Sequence, residues 1–499
     1  GLHTALGQFL ARPKFEAQDH FAKPTLNFRH LRHEKHSCWL RPPPPRWSLT
    51  APTERLKGTP IWYPKTAYTA TGDRKMDSTA PGGTKEGPSS EPGADDENPH
   101  WRRNLFVCLA GSFTTIVAMT LLLPFLPLYV EELGAEGHAA IVQWSGIAYG
   151  STFLAAALVA PLWGRLGDRY GRKVMLVRAS FGMAVCMSLT GMVQTVWQLV
   201  ILRLLIGFAG GYASGSTILV AMQTPKERSG WALGTLSAGI MAGNLVGPLI
   251  GGGLPPVIGI RATFLLAGGV IFLAFLATTF LIKEQRRPAQ VAPRGKRSSG
   301  WSQIPDKRPV TAMLATGMLL MFATMSIEPI ITVYVAQFVE SESQVTLTSG
   351  IVMSAAALGA ILSSSYLGRL ADRVGHWTVI VYALAVAALL LVPQAFVTAG
   401  WQLVALRFLM GLALGGLLPS VTSVIRHHVP DRIGGNVLGL SISAQYVGQV
   451  AGPLLGGFIG GHFGMRTVFL GTAALMALGA MANGILRLRY QARLTAPDA

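Results

Sequence analysis

Gly164-Arg165-Leu166-Gly167-Asp168-Arg169-Tyr170-Gly171 returns 204 positions later as Gly368-Arg369-Leu370-Ala371-Asp372-Arg373-Val374-Gly375. Trp197-Gln198-Leu199-Val200-Ile201-Leu202-Arg203 returns at the same offset as Trp401-Gln402-Leu403-Val404-Ala405-Leu406-Arg407. Pro124, Tyr129, Gly247-Pro248, Arg261 and Phe264 recur one position further on as Pro329, Tyr334, Gly452-Pro453, Arg466 and Phe469. The sequence around these markers is strongly apolar. Two apolar halves in parallel register are the layout of carriers built from two repeats around an axis normal to the membrane. Solenoid repeats have periods of only about 20–50 residues, so a stacked array is excluded.

Composition agrees. Half of the residues are hydrophobic and 13% are charged, against about 25% charged in a soluble domain. The 57 glycines suit closely packed membrane helices. A net charge of +18 invites a nucleic-acid reading, but the basic residues lie between apolar spans and line no single solvated face. Cys38, Cys108 and Cys186 are scattered and define neither a disulfide framework nor a metal site.

A bilayer core takes about 20 apolar residues to span. Twelve such segments are read, near 104–130, 141–163, 174–194, 197–222, 231–254, 262–282, 310–337, 347–367, 377–398, 401–425, 436–459 and 466–486. They predict an all-α integral membrane protein of twelve transmembrane helices in two pseudo-symmetric six-helix bundles. The N-terminal bundle is expected over 101–284 and the C-terminal bundle, with a short tail, over 310–499, joined by a linker at 285–309. Arg165, Arg169, Arg172, Lys173, Lys226, Arg228, Arg369, Arg373, Arg426, Arg432 and the linker cations fall on one side. The opposite loops hold Arg261 and Arg466 with Glu131, Glu132, Glu136, Glu340 and Glu342. The positive-inside rule therefore places both termini and the linker in the cytoplasm.

Residues 1–100 contain no spanning stretch. Pro42-Pro43-Pro44-Pro45 and a Gly/Pro/Ser-rich run from Ala80 to Asn98 read as a disordered cytoplasmic tract. No signal peptide is visible. The first methionine is Met76, so residues 1–75 are read as an extension of the open reading frame that the natural product lacks. His30, His33 and His36 beside Cys38 fit no strong metal-ligand spacing.

The loop Gly164 to Lys173 needs glycine for a tight turn between helices. Its lone carboxylate, Asp168, sits among cations where it can form charge-assisted bonds and cap the following helix. This pattern resembles the signature between spans two and three of the major facilitator superfamily, over roughly residues 100–490; the second copy is degraded at Gly375-His376-Trp377. The resemblance implies that Gly164, Asp168, Arg169, Gly171 and Arg172 form a conformational latch, with Asp168 holding the halves together in the outward-facing state. The alternative is that Asp168 only pins the turn.

In the fifth span Gly243, Gly247 and Gly251 fall on one helix face and Pro248 frees a carbonyl. Gly448, Gly452-Pro453 and Gly456 repeat the pattern in the eleventh. Gly243, Gly247, Pro248, Gly251 and Gly252 resemble the antiporter motif of the superfamily's drug:proton antiporter branch. Generic small-residue packing would leave the same trace. Leu123 to Val130 and Ser229 to Ser237 resemble the MdtG-type bacterial multidrug efflux proteins. The resemblance implies a multi-pass protein of a bacterial plasma (inner) membrane.

Glu328 is the one acidic residue inside a span, and a charge at mid-bilayer costs about 2.5–3.5 kcal/mol on insertion scales. In low dielectric a carboxyl readily takes up a proton, so Glu328 suits a proton carrier or a counter-charge for a cationic substrate; the alternative is a structural hydrogen bond to a helix carbonyl. Arg203 and Arg407 are the basic residues of spans four and ten, and the resemblance links Arg203 to proton coupling. A helix-anchoring role is the plainer alternative. Arg178, close to Lys173, is read as snorkelling to the interface. The resemblance makes spans 1, 4, 7 and 10 the cavity walls. Phe113, Met119, Tyr212, Met321, Phe322, Met325 and Tyr334 are the candidate soft lining, with Asn244, Gln445, Tyr446 and Arg407 as its polar part.

The function expected is proton-coupled efflux of hydrophobic or cationic drug-like molecules by alternating access. The partners are protons, substrate and the lipid bilayer, with no nucleic acid, no cofactor, no metal and a monomeric state. The alternative is a carrier of the same superfamily for one metabolite, such as a sugar or organic acid, for which the cavity offers few polar groups. Enzyme motifs such as His-Glu-x-x-His, Gly-x-Ser-x-Gly or a phosphate loop are missing from the sequence.

Overall fold

The structure is a computed structural model and describes residues 99–284, 300–304 and 306–495. The expectations for residues 1–98, including the start at Met76 and the group around Cys38, lie outside the described residues, as does most of the 285–309 linker.

Among the described residues there is no strand. The first half contributes α1 (Trp101–Glu132), α2 (His138–Tyr170), α3 (Arg172–Thr190), α4 (Val196–Gln223), α5 (Lys226–Ile258) and α6 (Ile260–Leu281). The second contributes α7 (Lys307–Val335), α8 (Glu342–Val374), α9 (His376–Gln394), α10 (Gly400–His428), α11 (Asp431–Phe463) and α12 (Met465–Ala492). Among the described residues eleven helices are long and apolar enough to cross a membrane. The one outside that set, α11, has the 33-residue length of α2 and α8. Its glycines, Gln445 and Gln449 dilute its apolar character.

The duplication is visible in the packing. The Tyr129 hydroxyl donates to the Thr190 carbonyl at 2.6 Å, and its ring lies 5.2 Å from Phe264. In the second half Tyr334 donates to the Gln394 carbonyl at 2.8 Å, its ring 5.0 Å from Phe469. Gly171 (φ 98°) and Gly375 (φ 92°) make the matching turns after α2 and α8, a left-handed backbone that strains any side chain. Outward faces are apolar: Leu158, Phe280 and Leu389 are largely exposed, as lipid contact requires. Trp197 and Trp401 stand exposed at the starts of α4 and α10, the level where indoles favour the membrane interface.

The helices α1, α4, α7 and α10 are each broken. In α1 and α7 a 3-10 turn interrupts at Leu123–Phe125 and Glu328–Ile330, beside Pro124 and Pro329, which lack the donor that an intact helix needs. In α4 and α10 the breaks fall at Gly210-Gly211 and Gly415-Gly416. Carbonyls freed within a bilayer must find partners. Thr332 of α7 donates to the Pro124 carbonyl of α1 at 3.0 Å. Arg178 of α3 donates to the Gly210 and Phe208 carbonyls of α4 at 2.9 and 3.2 Å and stacks on Trp163. Arg178 therefore braces a broken helix and does not snorkel.

The two halves meet toward the end that bears the acidic loops. A Cβ on Gly252 of α5 would lie 3.2 Å from Gly350 Cα of α8, and a Cβ on Gly457 of α11 would lie 3.3 Å from Gly146 Cα of α2. Ser354 of α8 donates to the Leu245 carbonyl of α5 at 2.7 Å. Toward the basic end the same helices part, and a Cβ on Gly164, Gly368, Gly434 or Gly439 would meet nothing within 4 Å. The bundle is closed at one end and open at the other.

Candidate functional site

Glu328 opens the 3-10 turn of α7, where the helix break carries its carboxyl toward the other half. The Tyr149 hydroxyl of α2 donates to its Oε2 at 3.3 Å, so the acid inside the bundle is held from across the interface. Arg203 and Arg407 are 1% and 3% exposed. In each, Nε and Nη2 have no hydrogen-bond partner among the described residues. Arg407 is close enough to Glu328 for their charges to interact. Buried guanidinium donors without partners are expensive.

Between the halves, on the open side of this cluster, lies a cavity of about 280 Å³. It collects Met119, Tyr212, Gln445 and Tyr446 from the expected lining and adds Thr115, Thr152, Phe153, Met183 and Gln449. The break in α4 opens part of the wall, since Gly210 and Gly211 line it too. Tyr212 is nearly covered, its hydroxyl 2.7 Å from Thr278 Oγ1. The other expected lining residues are elsewhere. Tyr334 is spent on the Gln394 carbonyl inside the second half. Asn244 is exposed and bonds its own helix at Ile240. Met321, Phe322 and Met325 lie against Gly448 and Gly452 of α11. Phe113 presents its carbonyl to Gly243. Arg407 is buried and lines no part of the cavity.

The glycine faces are contact surfaces. A Cβ on Gly243 would lie 2.9 Å from Ile116, one on Gly247 3.0 Å from the Val117 carbonyl and one on Gly251 2.9 Å from Leu121 Cα, all on α1. Gly448, Gly452 and Gly456 of α11 stand in the same relation to Phe322 and Ser326 of α7. Within α5, Gly252 faces the opposite half, as does the carbonyl of Pro248, which approaches Gly350.

At the basic end, Asp168 pairs with Arg172 one turn on and is otherwise 70% exposed; Arg169 stacks on Tyr170. Asp168 does not cap α3, although its position suggested it. Glu284, just past α6, does so: Oε1 accepts from Arg172 N and Oε2 from Lys173 N, both at 2.8 Å. These are first-turn donors that no residue of the helix can satisfy. Glu284→Ala should lower stability by about 1 kcal/mol, read as an earlier thermal unfolding midpoint in detergent. An unchanged midpoint would show that water replaces the carboxylate there.

The family model of the Major Facilitator Superfamily matches residues 108–400 and 346–498. The chain belongs to the Major Facilitator Superfamily. It is a multi-pass membrane transporter of small molecules. It is 41% identical over 389 residues to "Multidrug resistance protein MdtG" of Dickeya zeae, covering 77% of this chain and 95% of that protein. The protein of the same name from Klebsiella pneumoniae is 40% identical over 399 residues, covering 80% and 97%. Among solved structures, a bacterial homologue of the lysosomal transporter Spinster, captured inward-facing and unoccupied, superposes with a TM-score of 0.64 at 14% identity, covering 78% of this chain and 97% of that one. A D-xylose-proton symporter gives 0.61 at 16%, covering 77% and 97%. At such identities the likeness is one of fold.

Two residues of this Major Facilitator Superfamily site escaped the sequence reading. Tyr149 looked like one more aromatic in an apolar span; its place three after Gly146 and one before Gly150, on the face where halves touch, was the available signal. Glu284 gave none, because its partners lie more than a hundred residues away.

Proposed function

We propose that the protein exports apolar or cationic small molecules in exchange for protons, by alternating access, as a monomer in a bacterial plasma membrane. The observation that carries this reading is Glu328, the one acid away from a helix end in the described spans, bonded across the interface to Tyr149. A group that bridges the halves and can gain or lose a proton biases the equilibrium between access states, which is what coupling requires. Arg407 supplies fixed charge near Glu328, and Arg203 near Tyr149. Met119, Phe153, Tyr446 and their neighbours offer an adaptable, largely apolar surface, and the printed names of the relatives point to the same substrate class.

With the basic ends cytoplasmic, the closed acidic end faces outward and this state is open to the cytoplasm. Asp168, engaged within its own turn here, is then placed to hold the basic ends together in the opposite state, with Gly164, Arg169, Gly171 and Arg172 shaping that contact. Everted vesicles energised to an acidic interior, with a pH-sensitive dye inside, test the reading. Adding a lipophilic cation or a neutral amphiphile should release protons, and a protonophore should stop accumulation of either. Accumulation that survives the protonophore and ends on ATP depletion overturns it.

A further inference from the structure

A larger cavity lies away from this site. It holds about 680 Å³ between α7, α9 and α12 on the outer side of the second half. At its mouth, at the basic end, stand Arg308, Arg489 and Tyr490. Its floor is formed by Leu319 against Gly479, and small residues such as Ala312, Ala315 and Ala482 keep the walls apart. From Arg308 to Leu319 is eleven residues, about 16 Å of helix at about 1.5 Å per residue. One leaflet of a hydrocarbon core of about 30 Å measures about the same. The cavity is thus a slot one leaflet deep, cationic at the headgroup level and apolar below.

Two buried polar groups in its wall are not fully paired. Asn483, 4% exposed, gives its amide nitrogen to Thr316 Oγ1 at 2.8 Å and the Gly479 carbonyl at 2.9 Å, but its Oδ1 has no partner among the described residues. Trp377 Nε1 is likewise buried without one, while its ring packs against Tyr490 and His428. Asn483 lies close to the floor of the slot, whereas Trp377 lines it at its charged mouth, beside Tyr490. Asp306, also there, is engaged as the cap of α7, accepting from Arg308 N at 3.0 Å.

We propose that this slot binds one acidic phospholipid, with its phosphate between Arg308 and Arg489, its glycerol region against Trp377 Nε1, and an acyl chain running down past Asn483 to Leu319. A lipophilic cation, the substrate class proposed above, fits the apolar depth but is repelled at the mouth. The site needs no assumption about transport.

Native mass spectrometry of the full chain, released from detergent with phosphatidylglycerol or phosphatidylcholine added, tests it. Phosphatidylglycerol should be retained in preference. A cation at a membrane surface contributes about fivefold toward acidic lipid, so Arg308→Gln with Arg489→Gln should weaken that binding about thirtyfold. Lys226→Gln with Arg228→Gln, an equal loss of charge elsewhere, should leave it within about twofold. Ala482→Phe fills the slot with both arginines kept and should also displace the lipid, while unfolding temperature reports that the variant is folded. Equal binding of the two lipids, equal loss in both charge pairs, or undiminished binding in a folded Ala482→Phe protein would overturn the proposal. So would displacement of bound phosphatidylglycerol by tetraphenylphosphonium, which would make the slot a substrate entrance.

Discussion

Glu328→Gln should abolish substrate-driven proton release, for cationic and neutral substrates alike, while the protein inserts and folds. Glutamine keeps the shape of the side chain and can still accept from the Tyr149 hydroxyl, so the contact across the halves survives. What it removes is the ability to ionise beside Arg407. If Glu328 serves only as a counter-charge, the result is different: cations lose affinity and neutral substrates continue to move with their protons. Both classes behaving as in the parent protein would leave Glu328 structural and send the coupling elsewhere. Tyr149→Phe separates the bridge from the charge. It should slow exchange between access states with proton release per substrate unchanged.

What the sequence disclosed and what it hid divide along a physical line. The repeated Trp-Gln-Leu segments, the basic loops and the glycines spaced four apart are periodic or local, and these carried the architecture. The paired tyrosines were visible as a repeat, yet Tyr334 was expected in the cavity. An aromatic at helical spacing can serve either face, and only its hydroxyl's partner, the Gln394 carbonyl, decides which. The helix breaks were hidden for another reason. Gly210-Gly211 lies inside what reads as a single spanning segment, and the carbonyls of Phe208 and Gly210 are taken up there by Arg178 and Trp163 from other helices. Hydropathy also misjudged the other extreme. In α11 the glutamines and glycines that weaken the apolar signal face α7 and α2 within the protein, where lipid imposes no cost on them.

The closed end supplies the other large effect. Gly252→Leu should reduce export to roughly a tenth or less, whereas Gly253→Leu, its neighbour, should change little. A Cβ at Gly252 would stand 2.6 Å from the Thr346 carbonyl, 3.1 Å from Leu347 Cα and 3.2 Å from Gly350 Cα, all backbone of α8 in the opposite half. A helix backbone cannot rotate aside as a side chain can. A Cβ at Gly253 would meet nothing within 4 Å. Overpacking costs about 1–3 kcal/mol, and here the cost falls on the state in which the halves touch at this end. The equilibrium between access states should therefore shift roughly five- to hundredfold away from closure, with the fold intact. Spin labels replacing the exposed loop residues Glu136 and Glu340, one in each half, read that shift as a population at longer distance in Gly252→Leu. The symmetric site, Gly457 against Gly146, should respond in the same way, because the repeat has built the same contact twice. If Gly252→Leu exports normally and its distance distribution matches the parent, the contact between α5 and α8 is no gate, and closure must rest on the break segments of α1 and α7 where Thr332 meets Pro124.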